Sequence, residues 1–209
     1  RLGCDFLVCS PYKFFGPHSG TLWGRRELLE QLQAYKVRPA GDGTPDKFET
    51  GTPNHEAQAG VMAAVDYLAA LGEVSDVRLP QEWAGLTGRR RLLKEAMTAV
   101  KGYERELFQY FVDGLLHIPG LEFYGIRDFD RFDRRTPTAA FRLKGRHPDE
   151  VAAHLGRRGV YVWAGNFYAI SVTERLGLED QGGVVRAGLA HYNTSEEVDY
   201  FLDCLREIA

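Results

Sequence analysis

One segment, residues 88–117, constrains the fold of this chain more than any other. Its apolar residues recur at helical spacing until Pro119 stops the pattern. A helix of this length commonly bridges two lobes. We therefore predict three parts: residues 1–86 as a first lobe, residues 87–119 as a bridging helix, and residues 120–209 as a small α/β domain. The predicted apolar stripe consists of Leu92, Leu93, Ala96, Val100, Tyr103, Leu107, Tyr110, Phe111 and Leu115.

The segment after the bridging helix alternates between short strand patterns and helix patterns. Its last helix is the clearest, because Thr194 and Glu197 have the spacing of a capping box and an apolar face follows them. Between the first two strands, residues 127–136 mix both charge signs, which is typical of a solvated loop. We predict strands at 121–126, 138–143, 160–164 and 184–190, and helices at 148–158, at 168–176 and after Thr194.

The part before the bridging helix is less regular. Residues 4–9, CDFLVC, are nearly all apolar and are followed by Ser10 and Pro11, which predicts a strand buried on both faces. Residues 37–54 are dense in glycine, proline, aspartate and threonine and predict a long ordered loop, a kind of segment that is usually functional. We also predict a strand at 20–24, a helix at 25–33 and a helix at 56–71 that ends at Gly72.

Composition excludes several classes of function. Charged residues make up 26% of the 209 residues and the net charge is −3, so the basic footprint of a nucleic-acid-binding protein is absent. No window approaches the roughly 18 apolar residues that a membrane-spanning helix needs. The three cysteines, Cys4, Cys9 and Cys204, lack metal-type spacing and predict buried, unpaired thiols. We expect a cytoplasmic protein whose partners are small molecules and other subunits.

Lys13 stands out within the stretch CSPYKFFGPHSGTLWGR, residues 9–25, because it follows the predicted end of a strand by four residues. In a parallel α/β sheet, ligands bind beyond the carboxyl ends of the strands. A desolvated lysine amine forms a Schiff base with an aldehyde, so a catalytic Lys13 would lie in a dry pocket. The alternative is that Lys13 is a surface lysine with no catalytic role. A nucleotide site is a poorer alternative, because neither GxxxxGK nor GxGxxG occurs here.

Neighbouring residues suit a phosphate-bearing ligand. Ser10 and Tyr12 offer hydroxyl groups, and Gly16 and Gly20 allow the backbone to approach a ligand closely.

Three segments together resemble a known family. LGCDFLVCSPYKFFGPHSGTLWGR, FETGTPNHEAQAG and VVRAGLAHYNTSEEVDYFLDCL occur in the same order, and at similar separations, as in the second half of class V aminotransferases. This pyridoxal-phosphate family of fold type I includes the cysteine desulfurases, and the chain is most similar to the cysteine desulfurase-like proteins. The resemblance implies the carboxyl-terminal part of a PLP-dependent transferase fold, an α/β fold comprising the end of a mostly parallel-sheet large domain and a small α/β domain.

The resemblance also implies roles for residues near the first segment. Lys13 would form the internal aldimine with pyridoxal 5'-phosphate. Ser10 would hold the cofactor phosphate, and Tyr12 stands where many members have a phosphate-binding histidine. The cofactor-binding set implied here is therefore Ser10, Tyr12 and Lys13, together with Gly51 and Thr52.

Gly51 and Thr52 match a loop that contacts the phosphate in the active site of the other subunit, which implies a homodimer with shared sites. Arg186 matches the arginine that binds the carboxylate of an amino-acid substrate, a task suited to a planar fork of donors. A strand arginine paired with a neighbouring acid is the alternative for Arg186.

Two departures from the family pattern limit the functional prediction. Tyr168 aligns with the loop cysteine that carries the persulfide in many desulfurases, and a phenol cannot replace that thiolate. The aspartate that holds the cofactor's ring nitrogen, and a ring-stacking histidine, would both precede Arg1, so we expect a carboxyl-terminal portion of a longer protein. One hypothesis is a PLP-dependent amino-acid enzyme that catalyses transamination, racemisation or elimination. The other is a catalytically incomplete fragment or degenerate homologue that serves as a dimerisation or scaffold module.

Overall fold

A computed structural model of the chain describes residues 3–49 and 51–209. They form two compact units, Arg1–Met97 and Thr98–Ala209. A long helix, Gly88–Leu116, contributes residues to both units and agrees closely with the predicted helical pattern.

The first unit begins with an antiparallel strand pair. Strand β1, Phe6–Cys9, pairs with β2, Thr21–Gly24, so that Val8 lies opposite Leu22. Val8 is 73% exposed and Leu22 is 60% exposed. The prediction of a strand buried on both faces is therefore wrong for this chain. In the described part of the unit, β1 has only β2 as a strand neighbour, so its apolar side chains face solvent.

Among the described residues of the first unit, three α-helices follow: α1, Arg26–Gln31, α2, His55–Glu73, and the start of α3, Gly88–Leu116. The side chain of Asn54 caps α2, since its Oδ1 accepts from the N–H of Ala57 at 2.9 Å. Gly72 was expected to end this helix, but α2 continues to Glu73. A Cβ on Gly72 would lie 2.7 Å from the carbonyl carbon of Leu92. Gly72 therefore allows α2 and α3 to pack closely.

The loop over residues 37–54 contains a single short 3-10 helix, Asp46–Phe48, within its described part. Lys47 anchors it: its buried Nζ donates to the carbonyl oxygens of Glu30 at 3.1 Å and Leu32 at 2.8 Å. These carbonyls lie at the carboxyl end of α1, where a cation satisfies backbone acceptors that the helix leaves unpaired. The predicted long loop is thus tied to α1 by a buried lysine.

The second unit contains a four-stranded antiparallel sheet in the order β3-β4-β6-β5. Residues 138–143 form a strand, as predicted, whereas residues 160–162 do not. The strands are β3, Leu121–Tyr124, β4, Thr138–Leu143, β5, Trp163–Gly165, and β6, Val184–Gly188, and the helices are α4, Pro148–Arg157, α5, Ile170–Arg175, and α6, Ser195–Arg206.

The core of this unit lies between the sheet and the apolar faces of α3, α4 and α6. The predicted capping box of α6 is confirmed: Thr194 Oγ1 accepts from Glu197 N at 3.3 Å, and Glu197 accepts from Thr194 N at 3.0 Å. The fully buried residues of this core include Phe111, Phe141, Val151, Leu155, Val185 and Leu205.

The prediction of a solvated loop at residues 127–136 is wrong for part of that segment. Phe129–Arg134 forms a 3-10 helix whose Phe132 enters the core. The guanidinium of Arg135 lies 4.5 Å from the Phe108 ring centroid and donates to the carbonyl oxygen of Thr138 at 2.6 Å. Burial lowers the pKa of Arg135. The apolar ring surface that holds this segment comes from residues distant in sequence, so its charge pattern gave no sign of it.

Candidate functional site

Lys13 lies in a 3-10 turn, Pro11–Phe14, directly after β1. The N–H of Lys13 donates to the carbonyl oxygen of Ser10 at 2.9 Å, and the N–H of Gly16 donates to that of Pro11 at 2.9 Å. Pro11 suits the first position of the turn, because its ring fixes φ and no amide hydrogen is needed there. Three predicted site residues, Ser10, Tyr12 and Lys13, thus lie in one turn.

This turn is docked on α2 by two contacts. Phe15 has a φ of +69°, a left-handed conformation that bulky residues seldom adopt, and its ring meets that of Tyr67 edge-on at 6.0 Å. A Cβ added at Gly60 would lie 3.1 Å from the Pro17 ring, so glycine allows this close contact. Aromatic contact and close backbone approach therefore hold the turn against the helix, and neither contact has a signal in the local sequence.

Gly16 has a structural reason within the turn itself. A Cβ at this position would lie 2.9 Å from the Cβ of Pro11, so only glycine allows the turn to close. A Cβ at Gly20, in contrast, would meet no atom within 4 Å.

The side chain of Lys13 is exposed in this chain, so the expected dry pocket is not formed by the described residues. Its Nζ lies 5.7 Å from the centroid of the Tyr12 ring. Within residues 3–49 and 51–209 it makes no ion pair or hydrogen bond. The hydroxyl of Ser10 likewise caps no backbone group of the turn. Both groups are therefore open to a ligand.

Gly51 and Thr52 lie just before α2, separated from it by Pro53 and Asn54, and are exposed. Gly51 has a φ of +134°, a conformation that L side chains rarely adopt, although a Cβ would find open space. Thr50, which precedes them, lies outside the described residues.

Arg186 lies on β6 between Ala140 of β4 and Trp163 of β5. Its guanidinium carbon is 5.0 Å from the Trp163 ring centroid and 4.6 Å from that of Phe167. The side chain is half-buried, and in the described part of the chain no acid pairs with it. The alternative of an arginine neutralised by a neighbouring acid is therefore not observed.

The loop after β5 carries Phe167 and Tyr168, both with positive φ, at 54° and 62°. Asn166 Oδ1 accepts from Tyr168 N at 3.1 Å, and Asn166 Nδ2 donates to Glu179 at 2.8 Å. Thr173, through its hydroxyl, also donates to Glu179, and these two donors hold the pKa of Glu179 below its usual value. The left-handed residues delay α5 to Ile170, later than the predicted start at residue 168. Tyr168 itself is 94% exposed.

The remaining sequence predictions concern cysteines, metals and membranes. All three cysteines are free; Cys204 is buried as predicted, whereas Cys4 and Cys9 are only half-buried. No group of three or more histidine, cysteine, aspartate or glutamate side chains in the described residues is placed to hold a metal ion. None of the described helices combines the length and apolar character that crossing a membrane requires.

Comparison with known proteins gives the family. The family model described as Aminotransferase class-V matches residues 1–82 and 78–201 of the chain. The chain belongs to the class V aminotransferase family. The resemblance stated from three sequence segments is thereby confirmed, and so is the partial PLP-transferase fold, because solved cysteine desulfurases match nearly the whole chain.

The similar proteins of this family are longer than the chain. A probable cysteine desulfurase of Mycolicibacterium paratuberculosis is 31% identical over 100% of this chain and 28% of its own length. A cysteine desulfurase of Pectobacterium atrosepticum is 30% identical over 99% of this chain and 46% of its own length. The solved cysteine desulfurase of Thermococcus onnurineus is 25% identical with a TM-score of 0.75, over 99% of this chain and 47% of its own. The chain thus spans less than half the length of these relatives.

Proposed function

We propose that this class V aminotransferase family member is a PLP-dependent enzyme that acts on an amino acid. Lys13 would hold the cofactor through its aldehyde, and Arg186 would bind the substrate carboxylate. The observation that carries the proposal is the Lys13 turn, in which an amine and the Ser10 hydroxyl lie within four residues. The Lys13 Nζ makes no hydrogen bond or ion pair within the described residues, and its side-chain neighbour there is the Tyr12 ring.

The residues of this turn fit pyridoxal phosphate by their chemistry. The Ser10 hydroxyl can donate to a phosphate oxygen, and the Tyr12 hydroxyl is a second possible donor. The Lys13 amine is the nucleophile that an aldehyde requires. When bound, pyridoxal phosphate supplies an electron sink that stabilises negative charge at the substrate α-carbon.

The protein's own residues would bind the substrate and move its protons. Arg186 presents a planar fork that matches a carboxylate and orients the substrate through two parallel hydrogen bonds. The Lys13 amine would take a proton at Nζ as a general base and return it as a general acid. Transamination, racemisation and elimination all use these same groups.

Lys13 acts in this way only where water is excluded around its amine. Since the side chain is exposed here, we propose that residues outside this chain complete its pocket. Gly51 and Thr52 of a second copy would contribute to it, which makes the enzyme a homodimer with shared sites. Both residues are exposed, which leaves them open to such a contact.

Cysteine desulfuration is the activity that the names of the relatives suggest, and we propose that this protein does not share it. Tyr168 takes the aligned place of the persulfide cysteine, and Cys204 is buried on α6. Neither supplies an exposed thiolate on the loop. The proposed substrate is therefore an amino acid in general.

The test is a spectroscopic titration of the protein, at the full length its gene encodes, with pyridoxal phosphate. After unbound cofactor is removed, wild type should retain a near-visible absorption band that Lys13→Ala lacks. Lys101→Ala is the control, because Lys101 is also exposed but lies on α3. Equal bands in wild type and Lys13→Ala would refute the assigned role of Lys13.

A dimerisation or scaffold module is the second candidate. The exposed Lys13 and the tyrosine at position 168 favour it, because both depart from a working desulfurase site. It predicts a stable dimer that gives no absorption band at all in the same titration.

A further inference from the structure

We infer that Trp163 and Phe167 are positioning residues that hold the guanidinium of Arg186 ready for a carboxylate. The inference rests on the proposed function, in which Arg186 binds the substrate, and it adds two side chains that the family resemblance did not supply.

The two aromatic rings form a corner around the guanidinium. Their centroids lie 5.7 Å apart in an edge-to-face arrangement, and Arg186 Cζ lies within 5.0 Å of both. An arginine over an aromatic ring is attracted by the ring's negative face, and the contact restricts its rotamers. With no described acid pairing with it, the fork of Arg186 is held by rings and left open to an anion.

Specific hydrogen bonds hold the loop that carries Phe167. The left-handed backbone at Phe167 and Tyr168 is seldom adopted by residues with a side chain, so something must hold it. Asn166 does so, by accepting from Tyr168 N and donating to Glu179. Glu179 is in turn bound by the buried Thr173.

A second constraint acts at the start of the loop. A Cβ on Gly183 would lie 3.1 Å from the backbone nitrogen of Asn166, and closer still to the Gly165 carbonyl. Only glycine at position 183 therefore allows the residues before β6 to lie this close to the loop. The loop is thus held from both sides, and Phe167 is presented to Arg186 in one orientation.

Pre-organisation of this kind strengthens binding, because fewer side-chain rotamers are lost when the ligand arrives. Removing either ring should weaken carboxylate binding without removing the guanidinium. Phe167→Leu is a suitable change, because leucine keeps a Cβ and therefore the same backbone strain. Phe167→Tyr keeps the ring and serves as the conservative variant.

The experiment measures protection of Arg186 from phenylglyoxal, an arginine-specific reagent, by L-alanine. It uses the full-length protein without added pyridoxal phosphate, and peptide mass spectrometry gives the modification rate at each arginine. The exposed Arg78 is the internal reference whose rate L-alanine should leave unchanged. In wild type, L-alanine should slow modification of Arg186 in a saturable way.

The half-protecting L-alanine concentration should rise about fivefold in Phe167→Leu and in Trp163→Leu, the factor expected for one cation–π contact. Phe167→Tyr, which keeps an aromatic ring, should have the wild-type half-protecting concentration. A general structural defect would not distinguish an aromatic side chain from leucine in this way. Asn166→Ala, which releases the loop, should shift the value in the same direction as Phe167→Leu.

Unchanged protection in both leucine variants would overturn the positioning role while leaving the carboxylate role of Arg186 intact. Absence of protection in wild type would overturn that carboxylate role and this inference with it, independently of the result at Lys13.

Discussion

Gly72→Ala should destabilise the first unit, although alanine is the better helix former. The added Cβ would lie 2.7 Å from the Leu92 carbonyl carbon and 2.9 Å from its Cα. The Cβ and the Leu92 carbonyl carbon must move apart by about 0.7 Å to reach ordinary contact at 3.4 Å. Backbone atoms cannot rotate out of the way as a side chain can. Overpacking of this kind costs up to about 3 kcal/mol. Helix propensity returns about 1 kcal/mol, so the net loss is about 2 kcal/mol.

Gly102→Ala provides the matched control. Gly102 also lies inside a helix, α3, but a Cβ there would meet no atom within 4 Å. Propensity then acts alone and should stabilise the protein by about 0.5–1 kcal/mol. Urea unfolding followed by circular dichroism measures both variants. A Gly72→Ala protein as stable as Gly102→Ala would refute the packing argument.

Two further predictions concern the site itself. Tyr67→Ala should lower the free energy of unfolding by about 1 kcal/mol, because Phe15 loses its edge-on partner. Tyr67→Phe, which keeps the ring, should lose less in the same urea assay, and equal losses in both variants would contradict the ring contact. Folding lowers the pKa of Glu179 from its usual value of 4.5. The Glu179 carboxylate therefore stabilises the folded state fully above pH 4.5, and this stabilisation is lost as pH falls through the lowered pKa. Urea midpoints measured from pH 6 downward should therefore fall less steeply in Glu179→Gln than in wild type, and parallel curves would show that Thr173 and Asn166 do not stabilise the carboxylate.

Local patterns in the sequence predicted much of the second unit. The capping box at Thr194 and Glu197 and the strand at 138–143 depend on residues close in sequence, and both were correct. The burial of β1 was wrong, because an apolar run shows that a strand can be buried but not which neighbours cover it.

The candidate site could be proposed from the sequence only where a motif marked its residues. Lys13 and Arg186 stand in recognisable segments, but their surroundings come from pairings between distant residues. The register of β5 on β6 places Trp163 beside Arg186, and the docking of the turn on α2 places Phe15 against Tyr67. Neither juxtaposition has a signal within a short window of sequence, and the same is true of Arg135 against Phe108.

The most direct test of the proposed role of Lys13 is to locate the cofactor chemically. The full-length protein is incubated with pyridoxal phosphate, reduced with borohydride, digested and analysed by mass spectrometry. The reduced pyridoxyl group should be found on Lys13, in preference to other exposed lysines such as Lys101. Modification spread evenly over exposed lysines, with Lys13 no more reactive than Lys101, would contradict it.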